Sequence, residues 1–293
     1  MKLYSKQFLG EESGFPSFEK ASVVILPFPY EGGVSYGKGT REAPDAIIDA
    51  SPYMEAYDEM LDTCPCEVGI VTVEPPIIPL KPEGMFETIY QNTKYLLTRN
   101  KFVIVIGGDH SITSGCFKAF HEKYKTLSCI QIDAHADLRD VYEGSRLNHA
   151  CAMSRILEFT PHTLQIGIRS MSKDESIRIK RENLKVCTMH SFYHKSFDID
   201  AAIYDLPDPV FLTIDVDAFD FSVVAATGTP EPGGFRWYEG LSLLKKIFYA
   251  KNVVGFDIVE LSYSPYDKNS AFAISKLIYK LIGFKFYRRV YAV

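Results

Sequence analysis

Six short runs dense in Val, Ile, Leu and Phe recur along the chain: 22–28 (SVVILPF), 102–108 (FVIVIGG), 127–133 (LSCIQID), 163–169 (TLQIGIR), 210–217 (VFLTIDVD) and 252–261 (NVVGFDIVEL). Most are apolar throughout rather than alternating, the pattern of strands covered on both faces. Between them lie segments with helical spacing. Residues 83–100 place Phe86, Ile89, Tyr90, Thr93, Leu96 and Leu97 on one stripe, and 111–124, 237–251 and 270–286 read the same way. Strands alternating with helices predict an α/β fold, doubly wound around a mostly parallel sheet. No repeat, low-complexity tract or long linker divides the chain, so one domain over 1–293 is expected. The Pro/Gly-rich stretches at 27–40 and 230–234 read as functional loops.

Composition narrows the class without naming it. A hydrophobic fraction of 46% with 24% charged residues is ordinary for a soluble globular chain. The net charge of −5, with no long Lys/Arg block, argues against a nucleic-acid surface. The N-terminal stretch lacks a sustained apolar core and no run approaches the roughly 18 residues of a membrane span, so neither signal peptide nor membrane is expected, and the location is cytoplasmic by default. Six cysteines in this length are no disulfide framework. Cys116, Cys129 and Cys151 read as buried thiols, and Cys64 and Cys66 as a loop pair rather than a metal or redox motif.

The chemistry lies where the apolar runs end. Asp109-His110, Asp133/His135/Asp137, Asp215/Asp217/Asp220 and Asp257/Glu260 each follow a strand-like run. Ligands bind beyond the carboxyl ends of such strands, and neighbouring ends lie about 4.8 Å apart. Carboxylates gathered there would repel and stay partly protonated unless cations offset them. One such Asp is commonly a helix cap. Three separate clusters point instead to a metal site. Imidazole plus carboxylate without thiolate suits Mn²⁺, Zn²⁺, Fe²⁺ or Ni²⁺ better than Ca²⁺, and the donors suffice for two ions with shared Asp residues.

GGDHS (107–111), DAHAD (133–137) and DVDAFD (215–220) resemble the signature stretches of the ureohydrolases, the arginase and agmatinase family. The similarity extends through GKGTREAPDAI (37–47), NHA (148–150), TGTPEPGG (227–234) and YEG (238–240). It implies a three-layer α/β/α sandwich and two metal ions, usually Mn²⁺. One would be held by His110, Asp133, Asp137 and Asp215, the other by Asp133, His135, Asp215 and Asp217. The chain departs at Phe221, where the family usually has Pro, and at 224–226, Val-Ala-Ala for Ala-Pro-Gly; no ligand is lost.

By the same resemblance the reaction is hydrolysis of a guanidino group to urea, most readily agmatine to putrescine. The small cationic substrate would meet Asp137, which moves a proton to the leaving amine, and His149, a proton shuttle at the mouth. Glu239 would pair with the guanidinium. Asp140, Glu143 and Glu231 are candidates for a distal amine. Arg139 and Arg146 keep substrate carboxylates, hence arginine, guanidinobutyrate and formiminoglutamate, in view. Asp109, Asp220 and Glu260 are expected to orient ligands or close loops, and His121, His162, His190 and His194 to be structural. A dinuclear phosphoesterase, a zinc deacetylase and a silent homologue are the competing classes. A homotrimer or homohexamer is the family expectation.

Overall fold

A computed structural model describes residues 1–33 and 36–287; Val34 and Ser35, within the loop at 27–40, and residues 288–293 lie outside the described residues. The strands are β1 (Val23–Phe28), β2 (Ile70–Thr72), β3 (Phe102–Gly107), β4 (Ser128–Ile132), β5 (Thr163–Ile168), β6 (Lys185–Thr188), β7 (Val210–Asp215) and β8 (Val253–Val259). The helices are α1 (Ala43–Ala50), α2 (Pro82–Thr98), α3 (Thr113–Lys123), α4 (Ala152–Ile156), α5 (Lys173–Glu182), α6 (Met189–Tyr193), α7 (Ile199–Tyr204), α8 (Trp237–Ala250) and α9 (Asn269–Phe286).

All pairings are parallel, in one sheet of order β2-β1-β3-β8-β7-β4-β5-β6. The six apolar runs are six of these strands. The two edge strands, β2 and β6, leave no such run: the first is only three residues long, and the second fully buries only Cys187.

Period-two strand geometry sends successive side chains to opposite faces. Ile25, Ile104, Ile130, Leu212 and Ile258 face a core closed by α1, α8 and α9. Val24, Val103, Cys129, Phe211 and Val254 face a second core closed by α2, α3 and α4. Two apolar cores, one on each face, are the three-layer sandwich. On α2 the buried stripe runs through Met85, Ile89, Tyr90, Thr93, Leu96 and Leu97, while the expected Phe86 is only half-buried. Cys116, Cys129, Cys151 and Cys187 are buried thiols; Cys64 and Cys66 are half-buried beside a turn, and all six are free.

Chain order decides which strand ends meet. After β3 the chain crosses to β4, builds outward to β6, then returns to fill the gap with β7 and β8. Four strands from distant parts of the sequence, β3, β8, β7 and β4, therefore stand side by side at the centre.

Candidate metal centre and active site

The carboxyl ends of those four strands carry the acidic clusters. Register keeps them level: Ile106 pairs with Ile258, Ile258 with Ile214, and Ile214 with Ile132. Each cluster is shaped by one local device. Asp133 Oδ1 accepts the His135 N–H at 2.6 Å, Asp215 Oδ1 accepts the Asp217 N–H at 2.9 Å, and Asp109 Oδ1 accepts the Ser111 N–H at 3.0 Å. An Asp that caps the backbone two residues on turns the chain sharply and delivers the next donor to the same side. In Asp133 and Asp215 the cap occupies Oδ1 and leaves Oδ2 toward His110. Gly108 is required here because a Cβ would lie 1.7 Å from the Tyr30 carbonyl oxygen, over which the Asp109 turn packs.

His110 Nδ1 has Asp137 Oδ2 at 3.0 Å, Asp133 Oδ2 at 3.2 Å and Asp215 Oδ2 at 3.5 Å. Its other nitrogen, Nε2, is 2.8 Å from Thr213 Oγ1, which fixes the ring with Nδ1 toward the acids. Nδ1 is buried and aligned as a hydrogen bond to none of these oxygens, so the donors converge on a point between them. Beside it, His135 Nδ1 lies 2.8 Å from Asp217 Oδ2 and 3.8 Å from Asp133 Oδ1. Two trios result, His110/Asp133/Asp137 and Asp133/His135/Asp217, each with donor atoms within 4.8 Å of one another. Asp133 belongs to both. Nitrogen and carboxylate donors in this density fit a pair of divalent ions.

The electrostatics of the bare cluster agree. Burial, then repulsion from Asp137 and Asp217, raises the Asp133 carboxyl to about 7. Burial also raises Asp215, with Asp217 and Asp133 adding to it. Burial opposes charge on His135, yet the Asp217 contact outweighs it and holds the imidazole up to about 11. His110 is likewise raised despite its burial, by Asp133, Asp137 and Asp215. Asp217 is lowered, its His135 partner outweighing burial. The raised groups favour bound protons in the absence of cations, and metal binding would have to displace them.

A small pocket opens on this cluster, lined by His110, Asp137, His149, Asp215, Gly228 and Glu260 among others. Asp137 and Glu260 both hold left-handed backbone, φ +53° and +66°, uncommon outside glycine and frequent where a site imposes geometry. His149 starts a short turn capped by Asn148 Oδ1, which accepts the Ala150 N–H, and its ring meets the edge of Tyr142 at 5.8 Å.

The structure distributes the other expected residues differently. Glu239 is not among the residues lining this pocket. Its carboxylate accepts the Arg236 N–H at 2.9 Å in the first turn of α8. Glu260, expected only to orient ligands, is the glutamate in the pocket, and its Oε1 accepts the His110 N–H at 2.6 Å. Asp140 turns away to pair with Arg155 at 2.5 Å and Arg146 at 3.2 Å, and Glu143 is exposed on a turn with φ +47°. Neither lines the pocket. Arg146 is further occupied by Glu158 at 2.6 Å, while Arg139 lies over the Tyr142 ring. Glu231 does approach, its Oε1 standing 3.9 Å from His135 Nε2. Asp109 closes a loop as expected, accepting the Gly32 and Gly33 N–H groups at 2.7 and 2.9 Å. Asp220 caps Ser222 and does not join the cluster.

Three further residues support the cluster. Gln131 Nε2 donates to Asp133 Oδ2 at 2.7 Å, and Gln165 Nε2 to the Ala136 carbonyl at 2.7 Å. Their signal was visible: an amide inside an otherwise apolar strand needs a buried partner. Arg169, just past β5, donates to the carbonyls of Asp217 and Glu231 at 2.6 and 2.8 Å and ties the 230–234 loop to the cluster. Nothing local marked it.

An all-parallel sheet flanked by helices carries at its carboxyl edge two His/Asp trios that share an aspartate, a donor set that could hold divalent ions. The Arginase family model matches residues 21–283, and the chain belongs to that family. It is 40% identical to the N(1)-aminopropylagmatine ureohydrolase of Synechocystis, over 95% of this chain and 94% of that protein. It is 32% identical to the agmatinase of Pyrococcus horikoshii, over 97% and 99%. The agmatine ureohydrolase structure of Thermoplasma volcanium superposes with TM-score 0.86 at 28% identity, covering 96% of this chain and 94% of that one. No helix among the described residues is long and apolar enough to cross a membrane.

Proposed function

We propose that this chain hydrolyses the guanidino group of a small cationic amine, agmatine in the first place, releasing urea and a primary amine. The observation that carries the reading is the pocket itself, in which His149 and Glu260 line the same cavity as His110, Asp137 and Asp215 of the acidic cluster. His110, Asp133, Asp137 and Asp215 would hold one divalent ion, and Asp133, His135, Asp215 and Asp217 the other, with Mn²⁺ the first candidate. Bound there, such ions lower the pKa of water from about 15.7 toward neutrality and so supply a nucleophile at physiological pH.

The side chains do the rest. Glu260 is a buried carboxylate at the pocket wall, suited to a planar guanidinium that stays protonated. Asp137, whose Oδ2 lies 3.0 Å from His110 Nδ1, would hold a proton during attack and pass it to the leaving nitrogen. His149, half-buried in the pocket lining, suits proton exchange with solvent. Glu260 would pair with the guanidinium in place of Glu239, which stands outside the pocket lining.

An amine rather than an amino acid is supported by the arginines. Arg146 is engaged by Glu158 and Asp140, and Arg139 packs on Tyr142, so neither stands ready for a substrate carboxylate. Glu231, close to His135, offers negative charge for a distal ammonium instead. A second reading, N(1)-aminopropylagmatine, is favoured by the 40% identical relative. Urea release from agmatine, N(1)-aminopropylagmatine and arginine, measured side by side on Mn²⁺-loaded protein, tests all three. Both guanidino-amines should exceed arginine in kcat/KM by at least about 100-fold, the penalty for unpaired polar groups in a mismatched site. Arginine turnover equal to theirs would overturn the amine reading, and the ratio of the two amines decides between them. The expected homotrimer or homohexamer forms part of the proposal and is read by sedimentation.

A further inference from the structure

Two residues before the acidic ends of β4 and β7, a row of polar side chains crosses the centre of the sheet. Gln165 pairs with Gln131, Gln131 with Thr213, and Thr213 with Asp257, so four adjacent strands supply one member each. Paired positions of a parallel ladder share a face. Phe211, two residues before Thr213, and Val105, paired with Asp257, place that face toward α2, α3 and α4. All four polar residues are buried.

Three of them have an evident task. Gln131 Nε2 donates to Asp133 Oδ2 at 2.7 Å, and Gln165 braces it through Gln131 Oε1 and the Ala136 carbonyl. Thr213 Oγ1 stands 2.8 Å from His110 Nε2. Asp257, at the end of the row, differs. It is fully buried, yet neither carboxyl oxygen is met by an aligned donor. Burial raises this carboxyl to about 6, with His110, Thr213 and Thr113 drawing it the other way. A buried carboxylate is costly unless a donor turns toward it. Of the two hydroxyls that act on Asp257, Thr213 is the one that also meets His110.

Proton count then sets the direction of the chain. A hydroxyl has one proton to give, and an ionised carboxylate has none. With its proton turned to Asp257, Thr213 Oγ1 can only accept from the imidazole. His110 must therefore carry its proton on Nε2, which leaves the Nδ1 lone pair to the point between Asp133, Asp137 and Asp215. A metal-ligating imidazole needs that lone pair, and the partner of its other nitrogen decides whether it is free. Without the carboxylate the hydroxyl can reverse and donate to Nε2, placing a proton on Nδ1 where an ion would have to displace it.

We propose that Asp257 is a positioning residue of the metal centre, acting through the Thr213 hydroxyl to present His110 Nδ1 as a bare donor. This role rests on the metal-centre reading above. It makes the ion held at His110 depend on Asp257, and leaves the ion at His135 independent of it.

The test is Mn²⁺ titration of the metal-free protein, followed by the electron paramagnetic resonance signal of free Mn²⁺, which counts bound equivalents and gives the affinity of each. The native chain should take up two. Asp257→Asn and Thr213→Val should each weaken one equivalent about 10–100-fold and leave the other within about threefold. Thr213→Ser keeps the hydroxyl and should stay within about threefold of native at both. Thr213→Val/Asp257→Asn should lose no more than Thr213→Val alone, because the two residues act in series. Asp257→Ala carries the same expectation as Asp257→Asn, so a folding failure of either, seen by circular dichroism, leaves the other to decide. Unchanged affinity in the Asp257 variants overturns the proposal. So does equal weakening of both equivalents, the mark of general loosening, and so do losses that multiply in the double variant, which would free Asp257 from Thr213. A native chain that takes up no Mn²⁺ overturns the metal centre itself, which tells that failure apart from the failure of Asp257 alone.

Discussion

Glu239 and Glu260 carry the same functional group, and only position separates them. Glu239 sits where a first-turn glutamate stabilises α8 through the Arg236 N–H, whereas Glu260 is buried in the pocket against the His110 backbone. Glu260→Gln should lower kcat/KM at least about 100-fold, the scale of losing one charge-stabilising contact in a dry site, with metal content unchanged. Glu239→Gln should cost about 0.5–1 kcal/mol of stability and leave kcat/KM within about threefold. Urea assays with metal analysis and thermal unfolding separate the two, and the opposite pattern would return the guanidinium to Glu239. The contrast explains what could be read in advance. The Asp133, His135, Asp215 and Asp217 spacing is local, so its meaning is complete within three residues. The place of Glu260 depends on β8 inserting beside β3, and the loss of Asp140 depends on Arg155, fifteen residues onward; neither follows from neighbours in sequence.

Elements were legible in proportion to how completely they are buried. Central strands, covered on both faces, write themselves as apolar runs, while β2 is too short and β6 fully buries only Cys187. Helix α5 buries little but Glu175 and shows no apolar stripe; its mark is the capping box of Ser172 and Glu175. That box reaches the active centre. Glu175 Oε2 accepts the Ser172 N–H at 2.7 Å, and Oε1 accepts the Leu138 N–H at 2.9 Å, directly after Asp137. Ser172→Ala removes a cap alone and should cost about 1 kcal/mol in denaturant unfolding, with metal retention unaltered. Glu175→Ala also strands a buried N–H beside Asp137 and should cost about 1–3 kcal/mol. It should in addition release metal more readily on dialysis. Equal metal retention by the two variants would show that the Leu138 contact does not support the centre.

At the scale of the whole molecule, the sheet order gathers at one edge charges that the fold alone cannot neutralise. Without cations the cluster relies on protons, and the sign of the resulting pH dependence comes from the shifts. His135 is raised from 6.5 to about 11, so its contribution to stability is complete below 6.5 and lost as pH rises through 11. Asp133 is raised from 3.8 to about 7, so its contribution is present below 3.8 and lost as pH rises through 7. The metal-free protein therefore weakens from acid toward alkaline pH. Divalent ions need these same groups deprotonated, so their affinity moves in the opposite direction. Because β3, β8, β7 and β4 each contribute to the cluster, bound ions would clamp four central strands at once, making chelation a perturbation of the whole sheet rather than of one loop. The gap in Tm between the Mn²⁺-loaded and chelated protein should widen steadily from pH 6 to pH 9, with protons released on loading. Thermal scans at several pH values check the first, and titration in buffers of differing ionisation enthalpy checks the second. A gap that stays constant over this range would mean the ions do not displace the protons of Asp133 and His135.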